Sequence, residues 1–277
     1  MELISLKYAI FVIVLLVLYY CFPKKYRWYV LLAGSMAYYV IICKWYVLFI
    51  IFTICTTYGS TIWIDKLLKK QNAIVKSHKE DWDRQTRKEY KEKGRKKRVA
   101  VMLFALLCNF GILAFLKYIP YAGELGLLLP LGISFYTFQS MGYVMDVYRE
   151  IVEPEKNFLK VALFVSFFPQ IIQGPIAIYD KLAGQLYEGH SLRLENLQKG
   201  ALLVLWGVIK KLVIADRAVN IINFVMDKPM DFSGTYVFFA AVVYALQLYA
   251  DFSGGIDIVR GIAEMFGITM STNFNHP

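Results

Sequence analysis

Acidic and hydroxyl side chains follow one long uncharged run of the sequence, where they are costly unless something satisfies them. The run Ser233–Ala250 leads directly into Asp251, Ser253 and a second acid, Asp257. Ionisable groups beside membrane-length apolar sequence generally face protein or a water-filled cavity. Asp251 and Ser253 are therefore candidate cavity-lining or substrate-binding residues. Two structural alternatives exist for Asp251, which are capping the next helix and pairing with Arg260.

Three glutamines are further candidates, because they lie in apolar runs that proline and glycine interrupt. Gln139 lies in the run Leu125–Met145, and Gln170 and Gln173 lie in Val161–Ile178. Irregular backbone at membrane depth survives only where protein or water satisfies the freed polar groups. Both runs are therefore predicted to be broken or re-entrant helices around a common interior cavity, with a proline-kinked spanning helix as the alternative. The glutamines either line that cavity or hydrogen-bond a neighbouring broken helix.

Histidine is the side chain best suited to proton transfer near neutral pH, and the chain has 3. His78 lies in a basic segment, His190 in a polar segment and His276 beside Pro277. We expect the first two to be solvated and the third to be a tolerated loop residue, so no catalytic residue is assigned. The histidines and the 4 cysteines show no metal-ligand spacing, so no metal site is expected.

The elements that position these residues are predicted to be membrane helices. Hydrophobic residues make up 58% of the 277 residues, charged residues 19%, and the mean hydropathy is +0.47. The uncharged runs near membrane length are Tyr8–Phe22, Trp28–Cys43, Trp45–Ile64, Val99–Leu116, Leu125–Met145, Val161–Ile178 and Ser233–Ala250. Since a helix crosses a bilayer with ~20 apolar residues, we predict an all-α polytopic membrane protein with about 7–9 membrane-embedded helices. Residues 1–277 are predicted to form a single membrane domain.

Positive charge is concentrated in one segment. The net charge is +10, and Lys66–Arg98 holds 14 Lys or Arg against 5 Asp or Glu. Basic segments between membrane spans stay on the cytoplasmic side, so residues 66–98 are predicted to be a basic cytoplasmic loop near anionic lipid. The segment lacks the interleaved aromatic residues and the binding module of a nucleic-acid site, and no nucleic-acid partner is expected.

Four ordered motifs carry a resemblance to a known family. They are PLGISFYTFQ at Pro130–Gln139, FFPQIIQGPI at Phe167–Ile176, WGVIKKLVIADR at Trp206–Arg217, and YADFSGG at Tyr249–Gly255 with Asn273-Phe274 after it. Together they resemble the bacterial branch of the membrane-bound O-acyltransferases. That branch includes the alginate and peptidoglycan O-acetylation proteins and the D-alanyl-transfer protein of teichoic acid synthesis. Several motifs in order are far more specific than any one alone.

The resemblance implies a multi-pass acyltransferase scaffold of the bacterial cytoplasmic membrane. It would transfer an acyl group, in the simplest case acetyl, to hydroxyls of a cell-surface polysaccharide. The donor would be acetyl-CoA or an acyl carrier thioester on the cytoplasmic side, and no bound cofactor is implied. Membrane lipid and an extracytoplasmic glycan acceptor or partner transferase are the expected partners. Lys210, Lys211 and Arg217 would meet either an anionic carrier or coenzyme phosphate, or lipid headgroups.

The catalytic histidine of this family normally follows the last of these motifs, in a tryptophan–histidine pair. The sequence ends at Pro277 without such a pair. We therefore expect the N-terminal portion of such an enzyme, without the catalytic-histidine half and inactive alone. Two alternatives are a non-catalytic membrane assembly protein and a solute transporter, although the inverted repeat typical of transporters is not found.

Overall fold

The computed structural model of the protein describes residues 3–78, 81–118 and 129–272. In these residues the regular structure is helical and no strand occurs, which confirms the all-α class. The helices are α1 (Leu6–Cys21), α2 (Arg27–Cys43), α3 (Val47–Ser77), α4 (Arg84–Tyr118), α5 (Ile133–Tyr148), α6 (Phe158–Ser166), α7 (Phe168–Gln173), α8 (Tyr179–Glu188), α9 (Leu194–Val208), a π-helical segment (Ile209–Ala215), α10 (Asp216–Met226) and α11 (Gly234–Met265). The Asn273-Phe274 motif, His276 and residues 125–128 of the run Leu125–Met145 lie outside the described residues.

Three helical stretches of the described residues are long and apolar enough to cross a membrane, namely Lys24–Ser77, Arg84–Tyr118 and Gly234–Met265. Leu6–Cys21 and Phe158–Gln173 are shorter apolar helical stretches. Large apolar side chains on these helices are exposed, including Ile41, Phe104, Leu107 and Phe238. Such faces would be a liability in water and suit the hydrocarbon of a bilayer. The chain is a membrane protein.

The described residues form two compact units. The first comprises residues 3–31, 172–175 and 188–272, and in it α11 packs along α9, the π-helical segment and α10. The second comprises residues 32–171 and 176–187, and in it α3 packs against α4, α5 and α6.

The segment 66–98, predicted to be a basic cytoplasmic loop, is helical over most of its described length, and its cytoplasmic position stays a prediction. Helix α3 continues to Ser77 and α4 begins at Arg84. Lys, Arg, Glu and Gln are good helix formers, and charge by itself does not end a helix. At 1.5 Å per residue, α3 and α4 are about 47 and 53 Å long, well beyond the ~30 Å of a hydrocarbon core. Their charged ends therefore form a helical hairpin outside the membrane.

The two runs predicted to be broken behave differently. The run Val161–Ile178 is broken twice, because α6 ends at Ser166, α7 ends at Gln173 and no helix follows before Tyr179. In the run Leu125–Met145 the break lies at its start, where Gly132 adopts a left-handed conformation with φ of 70°. From Ile133 onward α5 is unbroken through Gln139, so the irregular part of the motif Pro130–Gln139 is confined to its first three residues. Gly142 does not interrupt the helix, since one glycine weakens a helix by only about 1 kcal/mol.

Candidate functional site

Glycines bring α9 and α11 of the first unit into close antiparallel contact. Gly200 lies against Gly261 and, seven residues further along, Gly207 lies against Gly254. A Cβ at Gly207 would lie 2.5 Å from the carbonyl oxygen of Gly254, and one at Gly200 would lie 2.6 Å from that of Gly261. Only glycine allows this approach, and small residues at seven-residue spacing are how membrane helices pack backbone to backbone. We call this contact the glycine seam.

A cluster of charged side chains lies at the end of the glycine seam, where α9 passes into the π-helical segment. Lys210 Nζ lies 2.7 Å from an Asp257 carboxylate oxygen, and Lys211 donates to Asp251. Arg260 Nη1 lies 3.4 Å from the other oxygen of Asp257. These five residues form what we call the seam cluster. Single-turn π segments within α-helices occur frequently at functional sites, and here the segment carries two consecutive lysines that reach two different acids.

The seam cluster corrects one sequence-based expectation for Asp251. Asp251 is neither a helix cap nor the partner of Arg260, because α11 continues through it from Gly234 to Met265. Its position in mid-helix makes capping impossible, and Arg260 pairs with Asp257, three residues away on the same helix. Three cations thus face two carboxylates, which leaves one excess positive charge on the half of α11 that follows the uncharged run Ser233–Ala250. Ionisable groups at such positions are functional candidates by default.

Two of the predicted polar residues lie beside the seam cluster. Ser253 is 2% exposed, and its hydroxyl has no hydrogen-bond partner among the described residues. Gln173 lies against Gly255, where a Cβ would be only 2.2 Å from its Oε1. Asp251, Ser253 and Gln173 therefore all lie around the α11 segment 251–257, as a shared site requires. Gly255 is needed there because its missing side chain leaves room for the amide of Gln173.

Gln139 and Gln170 lie in the second unit, and Gln139 has a structural partner. The break after Ser166 frees the carbonyl of Phe164 and the N–H of Phe168 from the helical pattern. Gln139 Nε2 donates to the Phe164 oxygen at 2.8 Å, and the Phe168 N–H donates to Ser35 Oγ at 3.1 Å. Gln139 therefore hydrogen-bonds a neighbouring broken helix, which is one of the two roles predicted for it. Within a membrane, the backbone groups freed by a helix break need such partners from the protein. Gln170 is 2% exposed on α7.

The two described histidines make contacts away from the seam cluster. His78 stacks on Trp82 at 4.8 Å between ring centroids, and its Nδ1 lies 3.0 Å from Ser77 Oγ. The backbone N–H of His190 donates to the Tyr19 hydroxyl at 3.0 Å, while its carbonyl accepts from Arg27. Both histidines are held by local structure. In the described part of the chain, no group of three or more His, Cys, Asp or Glu is arranged to hold a metal ion.

Chemically, the seam cluster can hold an anion or orient a hydroxyl. Lysine and arginine donors with excess positive charge stabilise an oxyanion or a phosphate, and such charge-assisted hydrogen bonds are roughly twice as strong as neutral ones. Asp251 is the most accessible acid of the cluster, with 36% of its side chain exposed, so it can accept a hydrogen bond from an acceptor hydroxyl.

The chain is similar in sequence to several bacterial O-acyltransferases. The chain is 32% identical to a peptidoglycan O-acetyltransferase of Helicobacter pylori over 214 residues, which are 64% of this chain and 41% of that protein. It is 36% identical to a probable alginate O-acetylase, AlgI, of Pseudomonas syringae over 54% of this chain and 29% of that protein. The chain is a homologue of the bacterial membrane-bound O-acyltransferases. No family model matches it.

The membrane-bound O-acyltransferase relationship extends to a more distant relative. A teichoic acid D-alanyltransferase of Bacillus subtilis is 26% identical over 53% of this chain and 38% of that protein. The matched region spans less than half the length of each of these three relatives. The resemblance predicted from the four motifs is thereby confirmed.

The motifs of the membrane-bound O-acyltransferases coincide with the structural features of the site. Trp206–Arg217 contains Gly207 and both lysines of the seam cluster, and Tyr249–Gly255 contains Asp251 and Ser253. Phe167–Ile176 contributes Gln173 and the helix breaks. Pro130–Gln139 contributes the left-handed Gly132, where a Cβ would lie 2.2 Å from the Ile171 oxygen of the second break. Each motif therefore marks a point of close backbone approach.

Sequence reasoning missed how the charges pair and which helix opposes α11. It identified Asp257, Lys210 and Lys211 separately, without connecting them. One signal was available, because Gly200 and Gly207 repeat the seven-residue spacing of Gly254 and Gly261. Two helices with glycines at the same spacing can pack in register along that face.

Proposed function

We propose that the chain is the scaffold of a membrane O-acyltransferase. In this proposal it transfers an acyl group, acetyl in the simplest case, to hydroxyls of a cell-surface polysaccharide at a bacterial cytoplasmic membrane. The donor is acetyl-CoA or an acyl carrier thioester that arrives from the cytoplasm, and the acceptor is an extracytoplasmic glycan, reached directly or through a partner transferase. Two relatives named for O-acetyl transfer to peptidoglycan and alginate support the reaction class.

The seam cluster is the single observation on which the proposal rests. Two acids and three cations lie in and beside an apolar helix, next to the buried hydroxyl of Ser253. Burying such groups in a bilayer is expensive, and their mutual pairing alone does not explain the one excess positive charge. An acyl thioester develops negative charge on its carbonyl oxygen during transfer, and the lysines can stabilise that oxyanion. Asp251 and Gln173 orient the incoming hydroxyl.

We further propose that these 277 residues alone give only background turnover. General-base catalysis contributes ~100- to 10,000-fold to such reactions. Neither described histidine is held against the seam cluster, since His78 and His190 make the local contacts given above. The Asp251 carboxylate is already engaged by Lys211. His276→Ala is therefore expected to leave the turnover of these residues unchanged.

The test measures donor binding and acyl transfer separately in membrane vesicles that contain the 277-residue chain. Saturable binding of a non-hydrolysable acetyl-thioester analogue is expected, together with background transfer to a polysaccharide. Lys211→Met should weaken binding because it removes a cation that faces the donor, whereas Asp180→Asn, which changes an exposed acid on α8, should not. Absence of saturable binding would contradict the acyltransferase assignment and favour an assembly or transport role. Robust turnover that His276→Ala abolishes would instead make His276 the catalytic base.

A further inference from the structure

The charged ends of α3 and α4 enclose a groove of about 650 Å³ in the second unit. Four cations of α4 line it, namely Lys88, Lys91, Arg95 and Arg98. Their spacing of three, four and three residues places them on one face of the helix. The basic character of this segment is therefore not spread evenly around α4, since a row of cations points into a single groove.

Arg98 distinguishes this groove from an exposed charged surface, because it is a buried cation. It is 9% exposed, and its Nη1 lies 3.1 Å from a carboxylate oxygen of Glu150. Its Nε–H is buried and has no hydrogen-bond partner among the described residues. A guanidinium matches phosphate geometry with two parallel donors, and leaving one of them buried and unused is costly. An anion that displaced Glu150 from Arg98 would pair with this guanidinium through its Nη donors.

The charge balance of the groove is consistent with an anionic ligand of modest charge. Glu92 and Glu150 are the acids that line it, so the four cations leave an excess of two positive charges. Across the groove, Gln71 of α3 donates through Nε2 to the Lys91 carbonyl at 2.9 Å, which fixes the two helices at this level. The groove is therefore a preformed concave site, held open by a contact that does not use the cations.

The position of the groove indicates the source of the anion. Arg98 immediately precedes the uncharged run Val99–Leu116, so its end of the groove lies at the membrane boundary. Trp63 of α3 is 58% exposed, as expected of an aromatic residue at the interface. A phosphate bound at this level of α4 would be the headgroup of a phospholipid in the adjacent leaflet.

We propose that the α3–α4 groove binds the phosphate headgroup of an anionic membrane lipid through Lys91, Arg95 and Arg98. The headgroup phosphate lies against Arg98 at the membrane boundary, and Lys91 and Arg95 contact its outer oxygens. Glu150 competes with the phosphate for Arg98. This binding site is independent of the seam cluster and of acyl transfer, and it ties the extramembrane hairpin to the bilayer surface.

The experiment titrates the purified 277-residue chain, in a neutral detergent, with dihexanoyl-phosphatidylglycerol, and native mass spectrometry counts the retained lipid. Lys91→Gln/Arg95→Gln should weaken binding by about tenfold or more, because two charge-assisted contacts are lost. The matched control Lys93→Gln/Lys96→Gln removes the same charge from α4 positions that do not line the groove, and it should bind like the wild type. Glu150→Gln should tighten binding, since it releases Arg98 from its competing carboxylate.

Two further titrations distinguish an anionic lipid from a zwitterionic lipid and from soluble phosphate as the ligand of the groove. Zwitterionic dihexanoyl-phosphatidylcholine and inorganic phosphate should both bind more weakly than phosphatidylglycerol. Equal loss in the groove variant and the control would overturn the site, because the attraction would then be diffuse charge. Inorganic phosphate binding as tightly as the lipid would overturn the lipid assignment and make the groove a site for soluble phosphate. A tightening by Glu150→Gln cannot arise from a folding defect, so this variant separates binding from stability.

Discussion

The two helix pairs α9–α11 and α3–α4 handle charge in opposite ways. On α11, ionised side chains lie in mid-helix, paired with lysines that the glycine seam brings within reach. On α3 and α4 the charges are collected at the ends of long helices, beyond the apolar length that a bilayer needs. Charge that points into water costs little, whereas charge packed between helices must be compensated by a partner, as the low exposure of Lys210 and Asp257 shows. The α3–α4 pair therefore presents its charges at a surface, whereas the α9–α11 pair holds the candidate reaction site.

The largest loss of stability is expected from placing a side chain in the glycine seam. Gly207→Ala would place a Cβ 2.5 Å from the Gly254 carbonyl oxygen, and neither helix backbone can move aside cheaply. We expect the free energy of unfolding to fall by about 3 kcal/mol, the upper end for overpacked sites. The measurement is thermal unfolding in detergent, followed by loss of helical circular dichroism.

The matched control for the seam is Gly111→Ala on α4, where the space around the new Cβ is open. Alanine is the better helix former by roughly 0.8–1.0 kcal/mol, so this variant should be neutral or slightly more stable. Similar losses in both variants would show that the seam contact is not special.

A smaller effect is expected from breaking the inner ion pair. Lys210→Met leaves Asp257 with Arg260 at 3.4 Å as its remaining cation. The side chains of Lys210 and Asp257 are only 18% and 13% exposed, so the loss should be about 2 kcal/mol, below the ~3–5 kcal/mol of a fully buried pair. Chemical unfolding of the variant in detergent measures it.

An exposed ion pair on α3 serves as the control for the Lys210–Asp257 pair. Lys69 and Asp65 are also close, at 2.5 Å, but Lys69 is 64% exposed. Lys69→Met should cost less than about 1 kcal/mol, because water screens the pair and solvates what is left. If both lysine variants lose the same stability, burial is not what distinguishes the two regions.

The smallest loss of stability is expected at the helix break after Ser166, where Gln139 donates to the Phe164 carbonyl. Gln139→Leu removes the Nε2 donor to the Phe164 carbonyl, while the N–H that a continuous helix would offer this carbonyl, that of Phe168, donates to Ser35 Oγ. A buried carbonyl left without a donor should cost about 1.5 kcal/mol. Gln85→Leu, which removes an exposed contact to Glu89, is the control and should be nearly neutral. A loss of donor binding without a loss of stability in the Gln139 variant would instead assign that glutamine to the cavity.

Much of the fold was predictable, because membrane helices are specified by composition over long stretches. Uncharged runs predicted α1, α3, α4 and α11, and proline with glutamine predicted the breaks around Phe167. Helix ends were predicted less well. The charged segment after Lys66 was interpreted as a loop, although its residues are good helix formers and α3 and α4 stabilise each other there. Local polarity indicates exposure to water, and it does not indicate loss of helix.

The polar residues proposed for the site were identified from the sequence, whereas their contacts were not. Asp251, Ser253 and Gln173 were identified because polar groups are rare in apolar runs, and the structure brings them to one stretch of α11. Gln139 was identified by the same criterion and has a structural hydrogen bond instead. The criterion cannot distinguish the two cases, since a broken helix and a binding cavity both require polar groups at membrane depth.

The sequence by itself determined that this is a helical membrane protein, related to membrane O-acyltransferases, with acids directly after a membrane-length run and basic charge between two spans. These properties depend on residue types and on their order along the chain. Only the tertiary structure decided that Lys210 meets Asp257, that Lys211 meets Asp251, and that four cations of α4 share one groove. Charge pairing depends on distances of a few ångströms between residues far apart in sequence, and those distances are set by which helices pack and how closely their glycines allow them to approach.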